Sequence, residues 1–199
     1  NQFGLYLDQH KLGSGGRLRW SHNEMRHALT LGKRTGNVLI HYKLIENVVT
    51  SYRVSGLNGN DDGIYVLSGH IISAATVAPV YEFRPNGVTS NLLSEMAYTF
   101  NQTTTGNQRT RLQLGFNGLT TNIYMNFHVR IFARKNRANI DAPLTYSGTF
   151  AASDSGNRYV GIIGGEWTET VTNVEFIDIV SDQTDGIDKG SEFWLEKVG

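Results

Sequence analysis

The sequence predicts an all-β sandwich or barrel. Three observations carry that prediction. From Val38 onward, apolar and polar residues alternate with a period of two over several runs, the pattern of strands with one buried face. Those runs are short and are bounded by Gly, Asn, Asp and Ser clusters, which are turn chemistry. Glycine is plentiful, at 22 residues, while proline is held to 3, so turns are many and strand pairing is seldom blocked. A chain of 199 residues is long enough to bury a core and is read as one domain with an arm.

Residues 1–36 form the predicted N-terminal arm. Residues 1–20 show little periodicity and contain Gly13-Ser14-Gly15-Gly16, a flexible joint. One short helix is predicted over 22–31. Ser21 and Glu24 make a capping box: the serine hydroxyl accepts from the backbone N–H of Glu24, and the glutamate reaches back to the N–H of Ser21. Trp20 and Met25 hold the staple positions, and Gly32 supplies a left-handed stop. A helix this short does not stand alone, so the arm needs a partner to order it.

The predicted β domain covers 37–199. Val38, Ile40, Tyr42 and Leu44 alternate with Asn37, His41 and Lys43, and a second run covers 48–54. Residues 56–63 read as a loop, 64–72 as a long apolar strand and 80–84 as another. Pro85-Asn86-Gly87 is a tight turn, because proline presets φ and Asn-Gly tolerates positive φ. Residues 91–100 fit a helix through Leu92, Leu93, Met96 and Ala97, and a strand through Ala97, Tyr98, Thr99 and Phe100. Residues 103–108 read as a polar loop. Leu112, Leu114 and Phe116 then alternate with Arg111, Gln113 and Gly115, and Asn117-Gly118 is a hairpin signal. The clearest strand follows, with Ile123, Met125, Phe127, Val129, Ile131 and Ala133 on one face.

The end of the chain gives three more runs, 158–167, 168–180 and 191–198. Gly164-Gly165-Glu166-Trp167 precedes a Thr-rich lead-in to the apolar strand that ends at Ile179. Gly190-Ser191 and Phe193-Trp194-Leu195 follow close to the terminus. This succession resembles the C-terminal jelly-roll domain of many bacteriophage virion proteins. Arg84-Pro85-Asn86-Gly87 and the strand over 122–133 resemble the same group, so the likeness covers residues 64–199. It rests on strand order and turn chemistry, and Glu196 stands where that group usually carries Tyr. The resemblance implies a jelly-roll β-sandwich of about 8–10 antiparallel strands, carried on the surface of a particle and assembled as a trimer by analogy with the group.

The formal net charge is zero, yet its distribution is uneven. In residues 1–34, Lys11, Arg17, Arg19, Arg26, Lys33 and Arg34 face only Asp8 and Glu24. In residues 151–199, ten acidic residues face Arg158, Lys189 and Lys197. A basic arm of this kind meets an acidic surface, or the protein's own acidic end. There is no cysteine, hence no disulfide framework and no thiolate metal site. No run reaches the length of a membrane span.

Few residues carry a chemical signature. His22 and His27 lie five apart on the predicted helix, where metal ligands need a spacing of three or four. Asp182, Asp185 and Asp188 recur beside Gly186 and Gly190. Loop carboxylates bind calcium, but the fuller ligand pattern is missing and Asp and Gly are ordinary turn residues. Arg130, Arg134, Lys135 and Arg137 form a basic cluster. Phosphate contacts need such groups, yet no recognition helix or RNA-binding aromatic signature accompanies them, which favours a solvated face or a subunit contact. Glu166 and Glu169 flank Trp167 as in a glycan site, or simply face water at a strand edge. The expectation is a protein that is not an enzyme, with no metal and no cofactor.

With these readings beside it, the resemblance implies a phage virion structural protein. The expected role is a capsid decoration, or cement, protein on the outer capsid surface, assembled in the host cytoplasm. Its arm would lie on the shell, with Arg17, Arg19, Trp20, Met25, Arg26, Leu29, Lys33 and Arg34 in contact with the shell or a neighbouring copy. The expected partners are the major capsid protein and further copies of the chain as a homotrimer, with neither membrane nor nucleic acid. Two alternatives stay open. One is a receptor- or glycan-binding module of a tail or head fibre, with Trp167 and Trp194 as stacking platforms. The other is a small icosahedral coat protein, for which the basic residues are few.

Overall fold

Period-two patterning becomes two antiparallel sheets packed against each other. The computed structural model describes residues 37–75, 77–100, 103–116, 124–133, 136–137, 140–141, 144–153, 158–169 and 173–198. The arm over 1–36, its helix at 22–31 and its proposed contacts Arg17, Arg19, Trp20, Met25, Arg26, Leu29, Lys33 and Arg34 lie outside the described residues. So do His22, His27, Asn117-Gly118, Ile123, Arg134 and Lys135.

The strands are β1 (Asn37–Leu44), β2 (Ser51–Ser55), β3 (Ile64–Ile72), β4 (Val80–Pro85), β5 (Leu92–Phe100), β6 (Thr103–Arg109) and β7 (Leu112–Phe116). They continue with β8 (Tyr124–Phe132), the short β9 (Asn136–Arg137) and β10 (Ile140–Asp141), β11 (Leu144–Ser153), β12 (Arg158–Trp167), β13 (Phe176–Ser181) and β14 (Glu192–Val198). One helical turn, α1 (Gly59–Asp62), interrupts the loop before β3. Residues 38–199 make one compact unit.

The smaller sheet runs β2-β13-β4-β7, and the larger runs β1-β14-β3-β8-β11-β12-β5-β6. Early strands lie beside late ones: β1 by β14, β2 by β13, β3 by β8 and β4 by β7. The last three of these pairs are antiparallel. Four such nested pairs, divided alternately between two sheets, are jelly-roll connectivity. Two insertions then widen the larger sheet. The hairpin β5–β6, between β4 and β7, and the pair β11–β12, between β8 and β13, add four strands beyond β8.

Two expectations change on contact with this topology. Of residues 91–100, Leu92–Phe100 are a strand, because Leu92, Ser94 and Met96 turn inward while Leu93 and Glu95 turn outward. The helix-like spacing had mixed residues from both faces. Residues 103–108 are strand β6, not a loop. They form the edge of the larger sheet and pair with β5 from Thr103↔Phe100 to Arg109↔Ser94. A polar run rich in Thr suits an edge that faces water.

The core lies between the sheets. β8 buries Met125, Phe127, Val129 and Ile131, and exposes Tyr124, Asn126, His128, Arg130 and Phe132. Leu114 and Ile177 come from the opposing sheet and are fully buried. Aromatic rings tie the layers together. Phe83 meets Tyr146 edge-on at 4.7 Å, and Tyr52 stacks on Phe193 at 5.6 Å. Gly69 faces the rings of Phe127 and Phe193 so closely that a Cβ there would overlap them. Buried hydroxyls are satisfied: Tyr146 donates to the Gln113 carbonyl at 2.7 Å and Tyr81 to the Gly186 carbonyl at 2.9 Å.

The predicted turn after β4 is present, with φ at 50° for Asn86 and 73° for Gly87. Its asparagine also clamps the segment that leads into β13. The Asn86 side-chain amide donates to the Asn173 carbonyl at 2.6 Å, and its carbonyl oxygen accepts from the Glu175 N–H at 2.9 Å.

Candidate interaction face

Of the eight large apolar side chains that stand exposed among the described residues, five gather on the outer face of the larger sheet. A half-buried sheet should expose polar residues on its wet side. Here Ile162 is 64 % exposed, Val160 61 %, Tyr124 49 %, Leu93 42 % and Phe132 40 %. All five lie on that one face, by the parity of β5, β8 and β12. Exposed apolar area concentrated in one place marks a surface that meets something.

The register gives the face its layout. One row across β8, β11, β12 and β5 reads Phe132, Thr145, Glu166, Leu93. The next reads Arg130, Ser147, Gly164, Glu95, and the third His128, Thr149, Ile162, Ala97. The fourth reads Asn126, Ala151, Val160, Thr99. Between β12 and β6 the sheet forms an open groove of about 720 Å³, lined by Leu93, Glu95, Ala97, Ile162, Gly164 and Glu166 among others. Small residues, Gly164 and Ala97, make it shallow, and Glu95 and Glu166 make its rim acidic.

Toward β3 the face becomes polar. Ser68 Oγ and His128 Nδ1 lie 2.8 Å apart, and His70 Nδ1 and Asn126 Oδ1 lie 2.9 Å apart. The Arg130 guanidinium sits 5.4 Å from the centre of the Phe132 ring. At the far edge, Trp194 is half-buried, and its ring lies 6.0 Å from Tyr42.

The structure separates the residues singled out from sequence. Trp167, proposed as a stacking platform, is 2 % exposed and belongs to the core. That corrects the glycan reading at this residue: its ring has no open face for a sugar. Trp194 lies on the outer face but stands strands away from Trp167 and the groove. Glu166 lines the groove, and Arg130 stands exposed on the same face. Asp182, Asp185 and Asp188 serve the loops. Asp182 accepts from the Val80 N–H at 2.8 Å, Asp185 has a φ of 55°, and Asp188 accepts from the Lys189 N–H at 2.7 Å. Among the described residues, no group of three or more His, Asp and Glu could hold a metal ion. No described helix is long and apolar enough to cross a membrane.

The groove-lining Leu93, Ala97 and Ile162 were missed in the sequence. The signal was available: each sits on the wet side of its strand, opposite the phase of buried Leu92, Met96 and Ile163. No protein-family model and no curated protein matches this chain.

Proposed function

We propose that this protein is a virion structural protein, a capsid decoration protein of the bacteriophage type. It acts by binding and covering a surface. Its basic arm attaches to the outer shell built by the major capsid protein, and its β domain stands outward. The observation that carries this reading is the jelly-roll connectivity of the described chain, widened into an eight-stranded sheet with an exposed apolar face. Such a sheet provides a rigid, extended surface, which assembly needs and a deep-pocket chemistry does not. The turn and strand sequences that resemble phage virion proteins give it the same direction, since fold alone does not assign a role.

The test is to locate the chain on particles of the virus that encodes it. Gold-labelled antibody against the β domain should decorate the whole shell of intact particles, and quantitative mass spectrometry should find it in shell-scale copy number. Label confined to a tail or fibre tip supports the receptor-binding alternative instead. Absence from particles overturns the virion reading altogether.

A further inference from the structure

We infer that the outer face of the larger sheet pairs with the same face of a second copy about a twofold axis. The axis runs parallel to the strands, between β11 and β12. A rotation about it lays β11 over the partner's β12, β8 over the partner's β5, and β3 over the partner's β6. Every residue keeps its row, because antiparallel partners lie level across the sheet.

The rows are complementary under that operation. In the first, Phe132 meets Leu93 of the other copy, apolar against apolar, and Thr145 meets Glu166, a donor against a carboxylate. In the second, Arg130 meets Glu95. Around the axis in that row lie Ser147 and Gly164, small enough for the sheets to approach. In the third, Thr149 meets Ile162 and His128 meets Ala97, and in the fourth Ala151 meets Val160. No like charges lie directly opposite each other in any row; the two copies of Glu166 flank the axis one strand spacing apart, each facing a Thr145 hydroxyl. All five exposed apolar side chains of the face except Tyr124 find an apolar or methyl-bearing partner.

Charge and area support this occupant over others. Among the described residues, neither Arg130 nor Glu95 takes part in an ion pair. Three strand spacings separate them within one chain, about 14 Å, too far for direct contact. In the pair of copies each meets its complement, twice by symmetry. Six strands about 4.8 Å apart and four rows about 6.8 Å apart make a patch of roughly 800 Å² per copy, the per-partner size of a standard stable interface. Packed sheets align within about 30° at a spacing of about 10 Å, which the low, small-residue rows permit. A self-complementary face gives a closed twofold pair, whereas the trimer expected by analogy needs two different faces.

The test uses the full chain in sedimentation velocity over a concentration series, with thermal melts as folding controls. The wild type should form dimers that dissociate on dilution. Ile162→Asp and Val160→Asp should weaken dimerisation at least about tenfold while the melting temperature of the monomer holds, because both side chains are exposed. Arg130→Glu alone and Glu95→Arg alone should each weaken it by about tenfold, and the double variant should recover it. That recovery identifies the pairing, since the two groups cannot reach each other within one chain. A monomer at all concentrations, a trimer, or a dimer indifferent to the charge reversals would each overturn the inference. The measurement needs no virus particle, so its failure leaves the decoration reading to its own test.

Discussion

At the scale of residues, His41 ties β1 to β2, with its Nε2 2.8 Å from the Tyr52 hydroxyl. Burial, with a smaller contribution from Lys43, lowers its pKa below the ordinary histidine value. The folded state therefore favours the neutral ring. Stability from this group is present above pH 6.5 and is lost as pH falls from there through the lowered pKa. Thermal melts between pH 8 and pH 5 should show the melting temperature falling in the acid part of that range. His41→Gln should flatten the fall, and an unchanged profile would show that His41 does not govern it. Trp167 shows what a residue type conceals. A tryptophan between glutamates invites a binding role, but Trp167 shares the inward phase of Tyr159 and Ile163, and strand parity decides its burial. Asn86 is the opposite case. Its turn was legible from Pro-Asn-Gly, whereas its hydrogen bonds to Asn173 and Glu175 depend on a segment far along the chain.

At the scale of elements, legibility follows the strength of the alternation. β8 was readable residue by residue because apolar and polar side chains alternate without a break from Met125 to Ile131. β5 was ambiguous because its outer face is itself apolar at Leu93 and Ala97, which erases the contrast between the two faces. β6 was missed because an edge strand with both faces in reach of water carries no hydrophobic period at all. The inward assignments have a direct consequence. Leu114→Ala, Phe127→Ala and Ile177→Ala each remove a buried side chain from the space between the sheets. Each should cost about 2–5 kcal/mol of stability, read as a lower denaturant midpoint in urea unfolding. Ile162→Ala, on the outer face, should cost far less in the monomer, and equal losses at all four positions would mean that the two faces are misassigned.

At the scale of the molecule, the sandwich class was legible but the width of the larger sheet was not. Local pattern shows that a run is a strand and says little about which strand it joins. The insertions β5–β6 and β11–β12 find each other across more than 50 residues of chain, from Leu92 to Trp167, and only that pairing creates the broad outer face and its groove. The arm enters at this scale too. Residues 1–34 are basic, whereas the groove rim carries Glu95 and Glu166 and the chain's last quarter is acidic. In the proposed role the arm belongs to the shell and the β domain to the outside, so the two should be separable in function.

Attachment through the arm can be measured by co-sedimentation with particles stripped of this protein. Residues 1–199 and residues 37–199 are each mixed with such particles, pelleted and quantified, with circular dichroism melts showing that both are folded. Residues 1–199 should pellet with the particles, residues 37–199 should stay in solution while melting as a folded domain, and added salt should weaken attachment only in part, because screening removes the charge contribution and leaves the apolar one. Equal pelleting by both proteins would contradict attachment through the arm.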